Sequence, residues 1–313
     1  MAVQLLAMSH SPLIGFNDPG PEVVAELDSN LETFKKIIAD FKPDYIISFA
    51  PDHFNGFFYD RMPPFCLGFA AHSVGDYGST EADMDVPFEK AEELANYIMD
   101  KGVDLPVSHM MDVDHGAAQP MEQLFGAVDG FKNVPFFVNG VARPMIPMSK
   151  IRGLGEAVGD FIKDHPDERI LLLASGGLSH DPPVPNYKTG DAETRQYLLH
   201  GGRPTPQFRQ ARQERVIKAA YDYAHGDNPT RDINPEWDAA FLDMCAGADP
   251  TAFDGLTPDD MDEEAGHSSH EVRTWVAAFS ALARATDNNY QVDFRYYRPI
   301  PEYMAGFGMM AAH

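Results

Sequence analysis

Four histidines in this chain each follow an apolar, strand-like run. His10 follows Val3-Gln4-Leu5-Leu6-Ala7-Met8, and His53 follows Tyr45-Ile46-Ile47-Ser48-Phe49-Ala50. His115 follows a run over residues 105–111, and His180 follows Ile170-Leu171-Leu172-Leu173-Ala174-Ser175. In an open α/β sheet the carboxyl ends of the strands line one crevice, where ligands bind. Imidazole is the commonest metal ligand and the usual general acid or base near neutral pH. Four segments that deliver imidazoles to one edge point to a metal-dependent enzyme. A lone histidine is more often a surface or hydrogen-bonded core residue. Here Ser9-His10-Ser11-Pro12 and Pro51-Asp52-His53-Phe54-Asn55 are both short polar loops at strand ends, and that matching placement favours a shared site.

A metal needs a third ligand. His267-Ser268-Ser269-His270-Glu271 opens a helix in the C-terminal third, and two readings of it compete. Ser268 and Glu271 have the spacing of a capping box, in which the glutamate serves only the helix end. Alternatively Glu271 completes a set of two histidines and one carboxylate. That set leaves coordination positions open and suits non-haem Fe(II); zinc hydrolases use similar ligands. With His10 and His53 given to a metal, His115 and His180 read better as acid/base groups facing a substrate, oriented by Asp114 or Asp181. Gly176-Gly177-Leu178-Ser179-His180-Asp181 lacks the Gly-x-Ser-x-Gly spacing of a hydrolase nucleophile loop. His72, His109, His165, His200, His225 and His313 are read as surface or structural.

The elements that must position these residues follow from hydrophobic periodicity. Strand-like runs near 2–8, 44–50, 64–70, 105–111, 134–139 and 169–175 alternate with amphipathic stretches near 21–41, 88–101, 117–128 and 148–164. This predicts an α/β fold with a central mixed sheet covered by helices. After His180, Asp181-Pro182-Pro183-Val184-Pro185 reads as a rigid extended loop. Residues 205–285 read as three or four helical segments, and a final strand lies near 290–297. The chain reads as a single catalytic domain over 1–313: an alternating core to residue 180, then a mostly helical portion that walls the crevice.

Composition removes several classes. With 44% hydrophobic residues a sizeable core forms, so wholesale disorder is excluded. The net charge of −24 argues against nucleic acid and anionic membranes, which need clustered Lys and Arg. No apolar run approaches the roughly 20 residues that span a bilayer, and no basic leader precedes the first strand. Two cysteines make no disulfide framework and suit a reducing cytoplasm.

The order and spacing of the motifs together are specific. His10-Ser11-Pro12, Ala50-Pro51-Asp52-His53, Asp114-His115-Gly116, Gly176-Gly177-Leu178-Ser179-His180, the run 274–279 and the tail 296–302 resemble the class III extradiol ring-cleavage dioxygenases. That is the superfamily of the protocatechuate 4,5-dioxygenase catalytic subunit. The resemblance implies Fe(II) held by His10, His53 and Glu271, with His115 as proton donor and His180 as proton acceptor. It further implies a catecholic small-molecule substrate, O2 as co-substrate and a homo-oligomer. Arg295 and Arg298 lie in the matching tail and are candidates for an anionic substituent. Pairing with surface acids is the stronger reading for both, with 48 acidic residues against 24 basic ones.

Overall fold

Short, largely apolar runs buried along their whole length make strands covered on both faces. Val3–Met8, Tyr45–Ala50, Asn133–Val138 and Ile170–Ser175 are of this kind. The computed structural model describes residues 3–200, 205–227 and 230–313. Its strands are β1 (Val3–Met8), β2 (Tyr45–Ala50), β3 (Phe65–Gly68), β4 (Ala71–Val74), β5 (Glu81–Asp83), β6 (Val107–Ser108), β7 (Met111–Val113), β8 (Asn133–Val138), β9 (Ile170–Ser175), β10 (Val292–Ile300) and β11 (Ala305–Ala312). The helices are α1 (Pro21–Phe41), α2 (Phe88–Asp100), α3 (His115–Phe125), α4 (Met148–Asp164), α5 (Ala192–His200), α6 (Pro206–Ala224), α7 (Pro235–Ala246), α8 (Pro258–Glu264) and α9 (Arg273–Ala285).

Eight strands form one sheet in the order β10-β11-β1-β9-β2-β8-β3-β6. The centre, β1-β9-β2-β8, is parallel, while β11, β10 and β3 pair antiparallel. The expected mixed sheet covered by helices is therefore observed. Alternate residues serve opposite layers: Leu5, Ile47 and Leu172 pack toward α2, α4 and α9, whereas Leu6, Ile46 and Leu171 pack toward α1 and α3. A slip of one residue would exchange the two sets, so burial pins the register. Gly155 and Gly159 let α4 lie directly against α9: a Cβ at either would collide with the carbonyl of Ala277 or Ala281. This packing fixes α9 against the sheet, and Glu271 lies two residues before it.

Three expectations change. The run at 105–111 divides between two sheets, because β6 pairs with β3 whereas β7 joins a separate small sheet ordered β5-β4-β7. His115 thus opens α3 and does not end a strand of the main sheet. The tail carries two strands rather than one, and β11 lies against β1. Its sequence, Ala305-Gly306-Phe307-Gly308-Met309-Met310-Ala311-Ala312, lacks β-branched residues and hid the strand. The small residues are required by close packing, since a Cβ on Gly308 would meet Leu178 Cδ1 at 2.9 Å. Finally, α5 precedes the helical region expected at 205–285. Among the described residues no helix is long and apolar enough to cross a membrane.

Candidate active site

β1, β9 and β2 are consecutive in the sheet, so the loops at their carboxyl ends share one edge. His10, His53 and the 176–180 loop meet there for that reason. The loop carrying His53 is folded by Asp52, whose carboxylate accepts from the backbone N–H of Asn55 (3.1 Å), Gly56 (2.8 Å) and Phe57 (3.1 Å). Phe54 takes a left-handed φ of 57°, a conformation that costs roughly 1–2 kcal/mol. Burial of its ring with Phe58 and Leu198 offsets that cost.

Each of the four histidines is tied down through Nδ1. Ser175 Oγ donates to the Gly116 carbonyl (2.6 Å), which leaves it to accept from His10 Nδ1 (2.9 Å). His53 Nδ1 bonds Asp114 Oδ2 (3.0 Å), His115 Nδ1 bonds Asp76 Oδ2 (2.7 Å), and His180 Nδ1 bonds the Leu178 carbonyl (2.8 Å). With Nδ1 engaged by its support, each ring turns Nε2 toward the cluster, where it can bind a metal or exchange a proton. The rings crowd together: His53 stacks on His115 with centroids 4.5 Å apart, and His10 stands edge-on to both. His115 Nε2 is buried and has no hydrogen-bond partner among the described residues.

Glu271 closes the cluster. Its Oε1 lies 3.0 Å from both His53 Nε2 and His180 Nε2, and its Oε2 lies 3.7 Å from His10 Nε2. The Gly177 N–H donates to Oε2 at 2.8 Å. A Cβ on Gly176 would meet the Glu271 carbonyl at 2.7 Å, so the two segments approach this closely only because that position is glycine. The capping box is not formed. Ser268 Oγ has no partner among the described residues, and the Glu271 carboxylate points into the histidine cluster instead.

Burial sets the charge states. Desolvation lowers His10 to about 3, despite the opposing pull of Glu271, so this imidazole is neutral at pH 7. Burial also works against a proton on His53 and His180. Asp114 and Glu271 outweigh it at His53, and Glu271 outweighs it at His180, so both rise. Glu271 is held well below the usual carboxylate range, because His180 and His10 overcome its desolvation. Imidazole nitrogens and an ionised carboxylate gathered in a dry pocket are a donor set that a divalent cation fits, and a cation there would replace the protons that His53 and His180 share with Glu271. Ring nitrogens of His10, His53 and His115 also lie within 4.8 Å of one another, which makes His115 a geometric rival to Glu271 as third ligand.

All five candidate residues are thus brought together: His10, His53, His115, His180 and Glu271 line one cavity. The orienting acids differ from expectation. Asp114 serves His53, and it also caps α3 by accepting from Gly116 N–H (3.0 Å). Asp181 turns away to His267 (2.9 Å). The partner of His115 is Asp76, which the sequence reading missed. The available signal was its setting in Gly75-Asp76-Tyr77-Gly78, a turn in which Gly75, Tyr77 and Gly78 take positive φ. Arg295 pairs with Asp243 and Arg298 with Glu26, so neither reaches the cavity. Among the described residues the arginines lining the cavity are Arg209, Arg212 and Arg215, all on α6.

The profile of the family described as the catalytic LigB subunit of aromatic ring-opening dioxygenase matches residues 4–308. This chain belongs to the LigB dioxygenase family. Its members are metal-dependent, in keeping with a histidine-rich cluster able to hold a cation. Among LigB-type relatives, the protein named 2,3-dihydroxyphenylpropionate/2,3-dihydroxicinnamic acid 1,2-dioxygenase from Rhodococcus rhodochrous is 50% identical over 313 residues, covering 100% of this chain and 98% of that one. Its namesake from Rhodococcus globerulus is 48% identical over 312 residues, with the same shares covered. The Escherichia coli protein of that name is 44% identical over 313 residues, covering 100% of this chain and 99% of that one.

Proposed function

We propose that this LigB-family chain is an extradiol catechol dioxygenase that holds Fe(II) through His10, His53 and Glu271. Its substrate on this reading is 2,3-dihydroxyphenylpropionate or the matching cinnamate, and it acts in the cytoplasm as a homo-oligomer of single-domain subunits. The observation that carries the reading is the approach of one Glu271 carboxylate to the Nε2 atoms of His10 and His53, in a buried cluster that retains two further imidazoles. Glu271 is preferred to His115 as the third ligand because its charge offsets that of the cation. His115 and His180 are then left for proton transfer.

Bound Fe(II) would supply the electronic coupling between catechol and O2 that neither possesses alone. The protein's part is proton traffic and positioning. His180, its Nδ1 fixed to the Leu178 carbonyl, presents Nε2 to take a catechol hydroxyl proton. His115, its Nδ1 fixed to Asp76, presents the partnerless Nε2 to deliver a proton to the departing oxygen. Asp238 accepts from Ser179 N–H and Oγ–H (2.7 Å each) and from Tyr297 Oη–H (2.7 Å), which fixes the turn that carries His180. Pro182 to Pro185 form a stiff wall along one side of the cavity.

The test is anaerobic reconstitution with Fe(II), then exposure to O2 and a panel of catechols while a yellow ring-fission product is monitored. Fe(II) should restore activity after chelation and Zn(II) should not. Activity that survives peroxide and chelation, or that returns with Zn(II) on ester or amide substrates, would replace this reading with that of a zinc hydrolase.

A further inference from the structure

We propose that Arg209, on α6, is the residue that reads a carboxylate on the side arm of the substrate. The proposal rests on the catechol-cleaving reading above and adds to it a determinant of specificity. Arg209 and Arg212 are three residues apart, hence on one helical face, and both line the cavity that holds the four imidazoles. In a chain with twice as many acidic as basic residues, arginines find carboxylates easily. Arg143, Arg152, Arg169, Arg284, Arg295 and Arg298 all do so.

Arg209 does not. Among the described residues no carboxylate pairs with it. One terminal N–H donates to the Val74 carbonyl at 2.9 Å, while Nε is buried and has no partner. A guanidinium with one carbonyl for its hydrogen-bonding partner is under-used, and a carboxylate in the cavity that Arg209 lines would accept from its remaining terminal donors. Arg212 is committed elsewhere: it donates to the His53 carbonyl at 2.9 Å and to Tyr197 Oη, and it lies over the Tyr197 ring at 5.0 Å. Arg215 is exposed and has Asp191 nearby. Arg212 therefore braces the wall and Arg209 keeps donors in reserve. In so acidic a protein the overall field repels an anionic ligand, so a local fork of this kind must recognise it.

The test compares 2,3-dihydroxyphenylpropionate with 3-propylcatechol, an uncharged analogue with an arm of equal length. Wild type should favour the acid in kcat/KM. Arg209→Gln should reduce the acid by about 10- to 100-fold more than the neutral catechol, the range for a charged hydrogen bond, and chiefly through KM. Anaerobic calorimetry of both catechols with the iron-loaded protein should show the same differential in Kd, independent of turnover. Should Arg209→Gln fail to fold, Arg209→Lys carries the test: it keeps the charge and loses the fork, so the acid should still lose more than the neutral compound. Arg212→Gln should weaken both catechols alike. Equal losses for the two catechols in both Arg209 variants, or no preference in wild type, would overturn the proposal while leaving the dioxygenase reading intact. A wild type that cleaves neither catechol would remove that reading and the proposal with it.

Discussion

The sheet edge and the wall built by α6 and the proline loop face each other across one cavity, yet they are constructed in opposite ways. At the edge, each histidine has an assigned Nδ1 acceptor, and Glu271 is held by a backbone N–H and two glycines. His10, His115 and Glu271 are almost wholly buried, and their supports are buried strand ends and the first turn of a helix. The wall is half-buried and attached by a few long side chains, among them Arg209 to Val74, Arg212 to His53 and Asn17 to Ile217. Bond-making chemistry tolerates little displacement, so its residues sit on rigid elements with satisfied hydrogen bonds. A wall that reads the substituent of a substrate can change residue by residue without moving the ligands.

The largest expected effect lies at the edge. Glu271→Gln keeps the shape and removes the charge, and should lose most bound metal. The fall in metal affinity should exceed the roughly 10- to 100-fold typical of losing an outer hydrogen-bonding partner of a ligand. Metal analysis of the purified variant decides this. Full metal content with full activity would remove Glu271 from the centre, and selective metal loss in His115→Ala would install His115 in its place.

Next in size are the two groups proposed for proton transfer. His115→Ala and His180→Ala should retain metal and lose on the order of 10²-fold or more in kcat. Asp76→Asn should follow His115→Ala in direction with a smaller fall, since its charge and one of the two oxygens that accept from His115 are lost while the imidazole itself stays. Loss of metal in Asp76→Asn would mean that this acid belongs to the metal centre, a role open to the Asp76, Asp114 and His115 grouping. The smallest effect is expected far from both regions. Arg298→Ala and Arg295→Ala break surface ion pairs and should leave the ratio of kcat/KM for acidic and neutral catechols unchanged. A shift in that ratio would extend the wall to the β10–β11 hairpin.

Much of the edge was legible before any coordinates. A six-residue apolar run ending in a polar histidine loop is a local pattern, and the parallel strands that such runs form bring their carboxyl ends together by topology alone. That logic reaches His10, His53 and His180. It does not reach His115, whose preceding run is shared between two sheets, nor Asp76, which approaches His115 only because β4 and β7 pair. It is silent on β11, a strand of alanine, glycine and methionine with a single phenylalanine, which exists because it fits against β1.

Sequence by itself determined the α/β class, the histidines at strand ends and the type of chemistry their side chains permit. These depend on residue identity and on spacing within one element, and a chain of letters carries both. Three matters were decided only by tertiary structure. Glu271 became a partner of imidazoles and not a helix cap, because α9 packs on α4 through Gly155 and Gly159 and brings residue 271 over the sheet edge. Asp114 became the support of His53, and Asp76 that of His115. Arg209 on α6, rather than Arg295 or Arg298, came to face the cavity. In each case a short polar side chain or a long charged one had several acceptable partners of equal local merit. Propensity and periodicity assign no preference among them; the choice rests on which segments the packed core brings within 3 Å.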